Sequence, residues 1–350
     1  MKTGWKSPIG VDLSGRWLKA AQVVATRASS FTLAGACRVE RAAPDAPVTP
    51  DEVAHLMEAA ARAGCEGTHV RIAVPPSLAV CAALELPPRS SGAPLEQIAR
   101  LELARTSRLA PETLETAMWS VPPPGRGGEG THVVAVGLPH AEAERLLAMF
   151  DSAGFEADQL DVRACALGRA SGAEAAGASL LIDVGWDHTG FLLLLGGRVL
   201  YQRVLADTSL SALYREAAAR AGASPSVVDA LLFTRYDAEL EPRRVAAAIP
   251  LRGVLTSFFD TIANEVARSL GYAAHRYGGI PVSVVRLTGD GAALPGLSDR
   301  LGAGELPVRP LAPSDILTLP GRLSRFADAH GLVAAIGLSL PATAAEKEAA

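Results

Sequence analysis

Two aspartates, each closing an apolar stretch and each followed by a turn of small residues, are the best placed for chemistry. The first copy runs Ile9-Gly10-Val11-Asp12-Leu13-Ser14-Gly15-Arg16-Trp17-Leu18-Lys19, and the second runs Leu181-Ile182-Asp183-Val184-Gly185-Trp186-Asp187-His188-Thr189. Asp12 and Asp183 stand 171 positions apart, so each half of the 350-residue chain carries one copy. The chemistry this pattern fits is the binding of a polyphosphate. Small residues let backbone N–H groups approach anionic oxygens closely. That makes Ser14, Gly15, Arg16 and Lys19 of the first turn, and Gly185 and Thr189 of the second, the candidate phosphate binders. An aspartate at a strand end can hold hydrated Mg²⁺ without touching phosphate, so Asp12 and Asp183 are the metal candidates. A third element, Leu287-Thr288-Gly289-Asp290-Gly291-Ala292, reads as strand, glycine loop and helix. Gly289 and Gly291 there would let a flat base lie against backbone. It is not a dinucleotide fingerprint, because its strand is late in the chain and Gly296 is misplaced for the third glycine.

The elements that must position these residues are legible from periodicity. Ile9, Val11 and Leu13 alternate, and Leu18 to Val24 is an apolar run, which together read as two strands joined by a short loop. Thr49-Pro50-Asp51-Glu52 is a helix start with a capping box, and Val53, Leu56, Met57, Ala60 and Ala61 share one face up to Gly64. Residues 81–160 read as an inserted module: strand, helix, strand, a Pro/Gly-rich loop over 122–130, return strand, and a helix over 140–152 with Leu146, Leu147 and Phe150 inward. The Ala/Gly/Ser-rich stretch 168–178 separates the halves. Residues 207–251 read as mixed helix and loop. Residues 255–277 give the clearest helix, with Leu255, Phe258, Phe259, Ile262, Val266 and Leu270 in one stripe. The order is hairpin, inserted module, hairpin, long helix, glycine loop.

Bulk properties exclude several classes. A net charge of −4 argues against a nucleic-acid binder. No stretch approaches the ~20 apolar residues that span a bilayer, and no apolar run follows the basic start, so neither a membrane span nor a signal peptide is expected. Cys37, Cys65, Cys81 and Cys165 show no CxxC spacing and read as buried free thiols. The seven histidines make no metal-binding pattern.

On these motifs the chain resembles the actin-like superfamily, and within it the PilM family of type IV pilus assembly proteins, related to FtsA. "IGVDLSGRWLKAAQV" and "LLIDVGWDHTGFLLL" match the two phosphate motifs, "VVRLTGDGAALPGLSDRL" resembles the adenosine motif, and "HGLVAAIGLSL" resembles the closing helix. "GFEADQLDVRACALGRA" is similar to the segment that joins the halves. "EVARSLGY" resembles the helix bordering the adenosine pocket, which adds Glu265, Arg268 and Ser269 to the cofactor set. The resemblance implies an α/β, actin-like (ribonuclease H-like) two-domain fold with an interdomain nucleotide cleft. The expected division is an N-terminal tail over 1–8, domain I over 9–165 with the insert at 81–160, domain II over 166–340 with a smaller subdomain near 207–254, and a disordered tail over 341–350. ATP or ADP with Mg is the implied cofactor. Ser14, Arg16, Trp17, Trp186, Asp187, His188 and Asp290 depart from the family's small residues. Side chains at such tips take space from phosphate, and Asp187 adds like charge unless Arg16 faces it across a degenerate cleft.

The function implied is a cytoplasmic scaffold recruited to the inner face of the inner membrane. Its partner would be the N-terminal cytoplasmic peptide of a single-pass pilus assembly protein, held between residues 9–80 and 81–160, with cytoplasmic assembly ATPases as further partners. No nucleic acid and no direct membrane insertion are expected. No base that would activate water stands out, so hydrolysis is expected to be slow or absent. The alternatives are a small-molecule kinase of the same superfamily, for which Asp161 and Asp207 are unplaced candidate bases, and a nucleotide-free scaffold like the type II secretion linker.

Overall fold

A computed structural model describes residues 5–27, 30–125, 129–172, 177–233, 242–304 and 306–342. The first half builds a five-stranded sheet from β1 (Ile9–Asp12), β2 (Trp17–Arg27), β3 (Ser30–Glu40), β4 (His69–Val74) and β8 (Glu156–Val162), in the order β3-β2-β1-β4-β8. The second half repeats it with β9 (Ala178–Val184), β10 (Thr189–Leu195), β11 (Arg198–Leu205), β12 (Val282–Thr288) and β13 (Val308–Pro310), in the order β11-β10-β9-β12-β13. In both, the first three strands pair antiparallel and the last two add in parallel. Each phosphate-type turn is therefore the hairpin between the first two strands of a half. A third sheet, ordered β5-β7-β6, joins β5 (Val80–Leu86), β6 (Leu114–Ser120) and β7 (Thr131–Pro139).

The helices cover the sheets. α1 (Pro50–Arg62) opens on the expected capping box: Thr49 Oγ1 accepts from Glu52 N–H, and the Glu52 carboxylate accepts from Thr49 N–H. It buries Val53, Leu56, Met57 and Ala60, while Ala61 faces solvent. α2 (Leu95–Ser107) covers the small sheet through Ala99, Leu103 and Ala104. α3 (His140–Ser152) and α4 (Arg163–Ser171) follow, then α5 (Leu210–Ala221), α6 (Pro225–Leu232), α7 (Pro242–Arg276), α8 (Leu297–Gly302), α9 (Pro313–Ile316) and α10 (Val333–Ser339). Every residue of β9 is buried, and its sequence ASLLIDV is correspondingly apolar through to Asp183.

α4 and α10 cross between the two large sheets and join them. A Cβ on Gly337 would lie 1.9 Å from the Ala166 carbonyl oxygen, so only glycine permits this approach. The stretch 168–178, expected as a plain separator, is thus helical in its first part; residues 173–176 lie outside the described residues. Arg169 makes that helix part of the core by donating to the Gly337 carbonyl.

Other expectations shift at the boundaries. The helix over 140–152 does not close the inserted module. Leu146, Met149 and Phe150 pack into the first sheet's core with Val53 and Leu56, and Leu147 is 40% exposed. β8 pairs with β4, so it too belongs to the first large sheet. The long helix starts at Pro242, earlier than the apolar stripe, and within it Leu255, Phe258, Phe259 and Ile262 are buried. α5, α6 and the start of α7 occupy the stretch near 207–254, of which 234–241 lie outside the described residues, as do 126–128 of the expected Pro/Gly loop and 343–350 of the expected tail. Cys37 and Cys65 are buried and Cys81 and Cys165 half-buried, none of them in a disulfide; burial pushes the Cys37 thiol up to about 11 and Cys65 up to about 12. Among the described residues no helix is long and apolar enough to cross a membrane.

Candidate functional site

The two hairpins face each other, and what lies between them is an arginine. Arg163, at the head of α4, is 5% exposed. Its Nε donates to Asp183 Oδ2 at 2.8 Å and its Nη2 to Asp183 Oδ1 at 3.2 Å. Its Nη1 donates to Asp12 Oδ2 and, at 2.9 Å, to Ser14 Oγ. Asp12 is fully buried; its Oδ1 accepts from Ser14 Oγ at 2.6 Å and from Ser14 N–H at 3.1 Å. One guanidinium thus joins the ends of β1 and β9. Burial alone would raise the Asp12 carboxyl, but Arg163, Lys19 and the Ser14 hydroxyl outweigh it and hold it below the usual carboxylate range. Burial would raise Asp183 too, but the charge and hydrogen bonds of Arg163, with His188, together outweigh it and hold Asp183 low. Burial likewise presses the neighbouring His188 below its ordinary value, and Arg163 adds to that.

The other residues of the two turns are also engaged. Arg16 donates to Glu40 at 2.7 Å and to Asp229 of α6 at 3.0 Å. Its guanidinium lies 5.6–5.7 Å from the ring centres of Trp17, Trp186 and Tyr214. Contrary to the expectation that it faces Asp187, it is held by the aromatic cage and two other carboxylates. Asp187, at the exposed tip, turns its carboxylate to the Gly15 N–H. Gly15 has φ +86°, and a Cβ on it would lie 2.9 Å from the Trp186 Cβ, so the two tips touch. Trp186 Nε1 reaches Asp45 at 3.2 Å. Gly185 N–H donates to the His188 carbonyl, which closes the second turn on itself. Thr189 is fully buried, and its hydroxyl has no partner among the described residues.

Lys19 on β2 is bound to Asp290 of the glycine loop, 2.8 Å away. The cavity beside that pair, ringed by Arg38, Gly289, Ala293, His330 and Gly331, measures about 70 Å³. Ligand pockets usually take on the order of 300 Å³ or more. Gly289 and Gly291 are pressed against the second hairpin: a Cβ on Gly289 would meet Asp183 Oδ1 at 2.5 Å, and one on Gly291 would meet Val184 Cγ1 at 2.3 Å. Glu265, Arg268 and Ser269 sit on one turn of α7. Glu265 is paired with Arg268 at 2.8 Å and with Arg203 of β11 at 3.2 Å, and the buried Ser269 hydroxyl has no partner among the described residues. In this arrangement the residues do not fit Mg with ATP or ADP. The two candidate metal ligands hold a guanidinium, the candidate phosphate lysine holds a carboxylate, and the remaining space is too small. Of the two candidate bases, Asp161 is buried against Arg169 and Asp207 is exposed.

Sequence reasoning passed over Arg163. The available signal was a cation in an otherwise apolar run, Val162-Arg163-Ala164-Cys165-Ala166-Leu167, on the segment joining the halves.

A second feature is an open groove of about 510 Å³ between the first large sheet and the small one. Arg71 and Val74 of β4, Ala117 and Trp119 of β6, Leu138 of β7, Leu160 and Val162 of β8, and Cys165 and Arg169 of α4 line it. β6 and β8 are each the last strand of their sheet. Trp119 Nε1 donates to the Val199 carbonyl at 2.7 Å, which fixes the small sheet against β11.

Two matched α/β halves with the same strand order, a hairpin from each meeting in one cleft, and an inserted small sheet define the actin-like fold. Solved structures agree. The chain is similar to a chain of the PilM-PilN type IV pilus biogenesis complex, with a TM-score of 0.72 and 19% identity over 95% of this chain and 97% of that one. It is also similar to ethanolamine utilization protein EutJ from Carboxydothermus hydrogenoformans (TM-score 0.52, 14% identity, 96% and 89% covered). MreB5 of Spiroplasma citri bound to ADP aligns with a TM-score of 0.51 at 11% identity, covering 93% and 94%. No protein-family model and no curated protein matches the chain. The resemblance read from the motifs therefore stands as one of fold, across nearly the whole chain.

Proposed function

We propose that this chain is a scaffold of type IV pilus assembly, or of a related secretion system, that works at the inner face of the inner membrane. Its groove holds the N-terminal cytoplasmic peptide of a single-pass assembly protein. The observation that carries this reading is the groove itself, in a chain that overlaps a PilM-PilN complex chain from end to end. Its floor is apolar through Val74, Ala117, Leu138, Leu160 and Val162, and arginines 71, 169 and 198 with Glu115 and Asp161 give it charges of both signs. Two strand edges border it, so an extended peptide would find backbone partners as well as side-chain pockets. The scaffold role needs no hydrolysis, and none is assigned here.

The whole insert is a poor target for a deletion test, because β8 and α3 belong to the first sheet's core. Ala117→Arg is better. Ala117 is exposed on β6, and a long cation there fills the groove without touching a core. Titration of the synthetic partner peptide should show affinity weakened about tenfold or more in Ala117→Arg, with melting unchanged. Equal affinity in the two proteins would remove the groove from the account.

A further inference from the structure

We infer that Arg163 is a built-in substitute for a bound cation and nucleotide: its guanidinium ties Asp12 to Asp183 and holds the two halves closed with no ligand between them. The hairpins come from different sheets, so something of positive charge must lie where two buried carboxylates meet. A divalent cation would serve, but it needs the carboxylate oxygens or their waters free. Here the guanidinium uses them: both oxygens of Asp183, one of Asp12, and the Ser14 hydroxyl that itself donates to Asp12. Arginine suits the task because it is always charged and its planar fork meets a carboxylate side-on.

Independent contacts close the same cleft. Lys19 bridges to Asp290 at 2.8 Å, and Arg16 reaches from the first hairpin to Asp229 in the second half at 3.0 Å. The residues that depart from a phosphate-binding pattern are the ones that make these ties. Ser14 completes the Asp12–Arg163 network, Asp290 occupies Lys19, Trp186 packs on Gly15, and Arg16 sits among three aromatic rings. Each of these departures thus takes part in a tie across the cleft.

Thermal unfolding tests this directly. The melting temperature of the wild-type chain should move by less than about 1 °C on adding Mg·ATP or Mg·ADP, since nothing binds the native state. Arg163→Ala should melt lower, and low-millimolar guanidinium chloride should recover part of that loss relative to equal sodium chloride. If Arg163→Ala does not fold, Arg163→Lys keeps the charge without the fork and should still melt below wild type. A wild-type rise of about 3 °C or more with Mg·ATP that Asp12→Asn abolishes would overturn the inference. So would an Arg163→Ala or Arg163→Lys protein that melts like wild type.

Discussion

At the scale of single residues, the decisive group is a buried cation shared by two buried anions. Removing one partner from such a cluster leaves uncompensated charge and typically costs about 3–5 kcal/mol, so Arg163→Ala should lose about that much stability in urea unfolding at pH 7. The pH dependence has a definite sign. Asp12 and Asp183 are held below the ordinary carboxyl value, so the stability they bring is present above about pH 4 and is lost as pH falls through their lowered folded values. Without Arg163, burial and mutual repulsion would raise both carboxyls instead. Folded values above the unfolded ones give stability at low pH that is lost as pH rises. Melting curves from pH 2 to 8 should therefore be level above about pH 4 and fall below it in the wild type, and fall towards alkali in Arg163→Ala; parallel curves would contradict this. The aspartates were legible in the sequence because each ends an apolar strand before a turn. Arg163 was not, because a buried arginine looks like any other cation until its partners, 151 and 20 positions away, are placed.

At the scale of elements, caps and crossings set the frame. The Thr49 capping box fixes the start of α1 against the first sheet, and Thr49→Ala should cost about 1 kcal/mol, measured by urea unfolding. The α4–α10 crossing admits no side chain at Gly337. Gly337→Ala should therefore cost about 1–3 kcal/mol and lower the urea midpoint, unlike an alanine at an exposed helical glycine, which would usually stabilise. α1 and α3 were readable to the residue or nearly so, because Thr49-Pro50 marks the start of one and Gly154 the end of the other. Their packing was less so: Met149 and Leu147 are equally apolar, and the elements that α3 packs against decide which one turns inward. α4 was hidden because alanine, glycine and serine read as linker, although small residues are what two closely crossing helices need.

At the scale of the whole molecule, the halves repeat one sheet topology and the cleft between them is filled by their own side chains. A groove stays open where the small sheet meets β8 and α4. Closure and groove share a structural element, since α4 carries Arg163 at its head and Cys165 and Arg169 on the groove wall. The sequence order of motifs foretold the doubled architecture, and the resemblance placed a groove between residues 9–80 and 81–160; its lining was not readable, because its walls come from residues 71–79, 115–119, 136–143, 159–169 and 197–199. The proposed scaffold role stands or falls with a partner peptide lying in this groove. Hydrogen–deuterium exchange of the full chain, with and without the partner's N-terminal peptide, tests it most directly. Protection should rise along Leu114–Ser120 of β6 and Glu156–Val162 of β8 and stay unchanged along the apolar cavity between α7 and β12; protection at that cavity alone, or none at β6 and β8, would contradict the account.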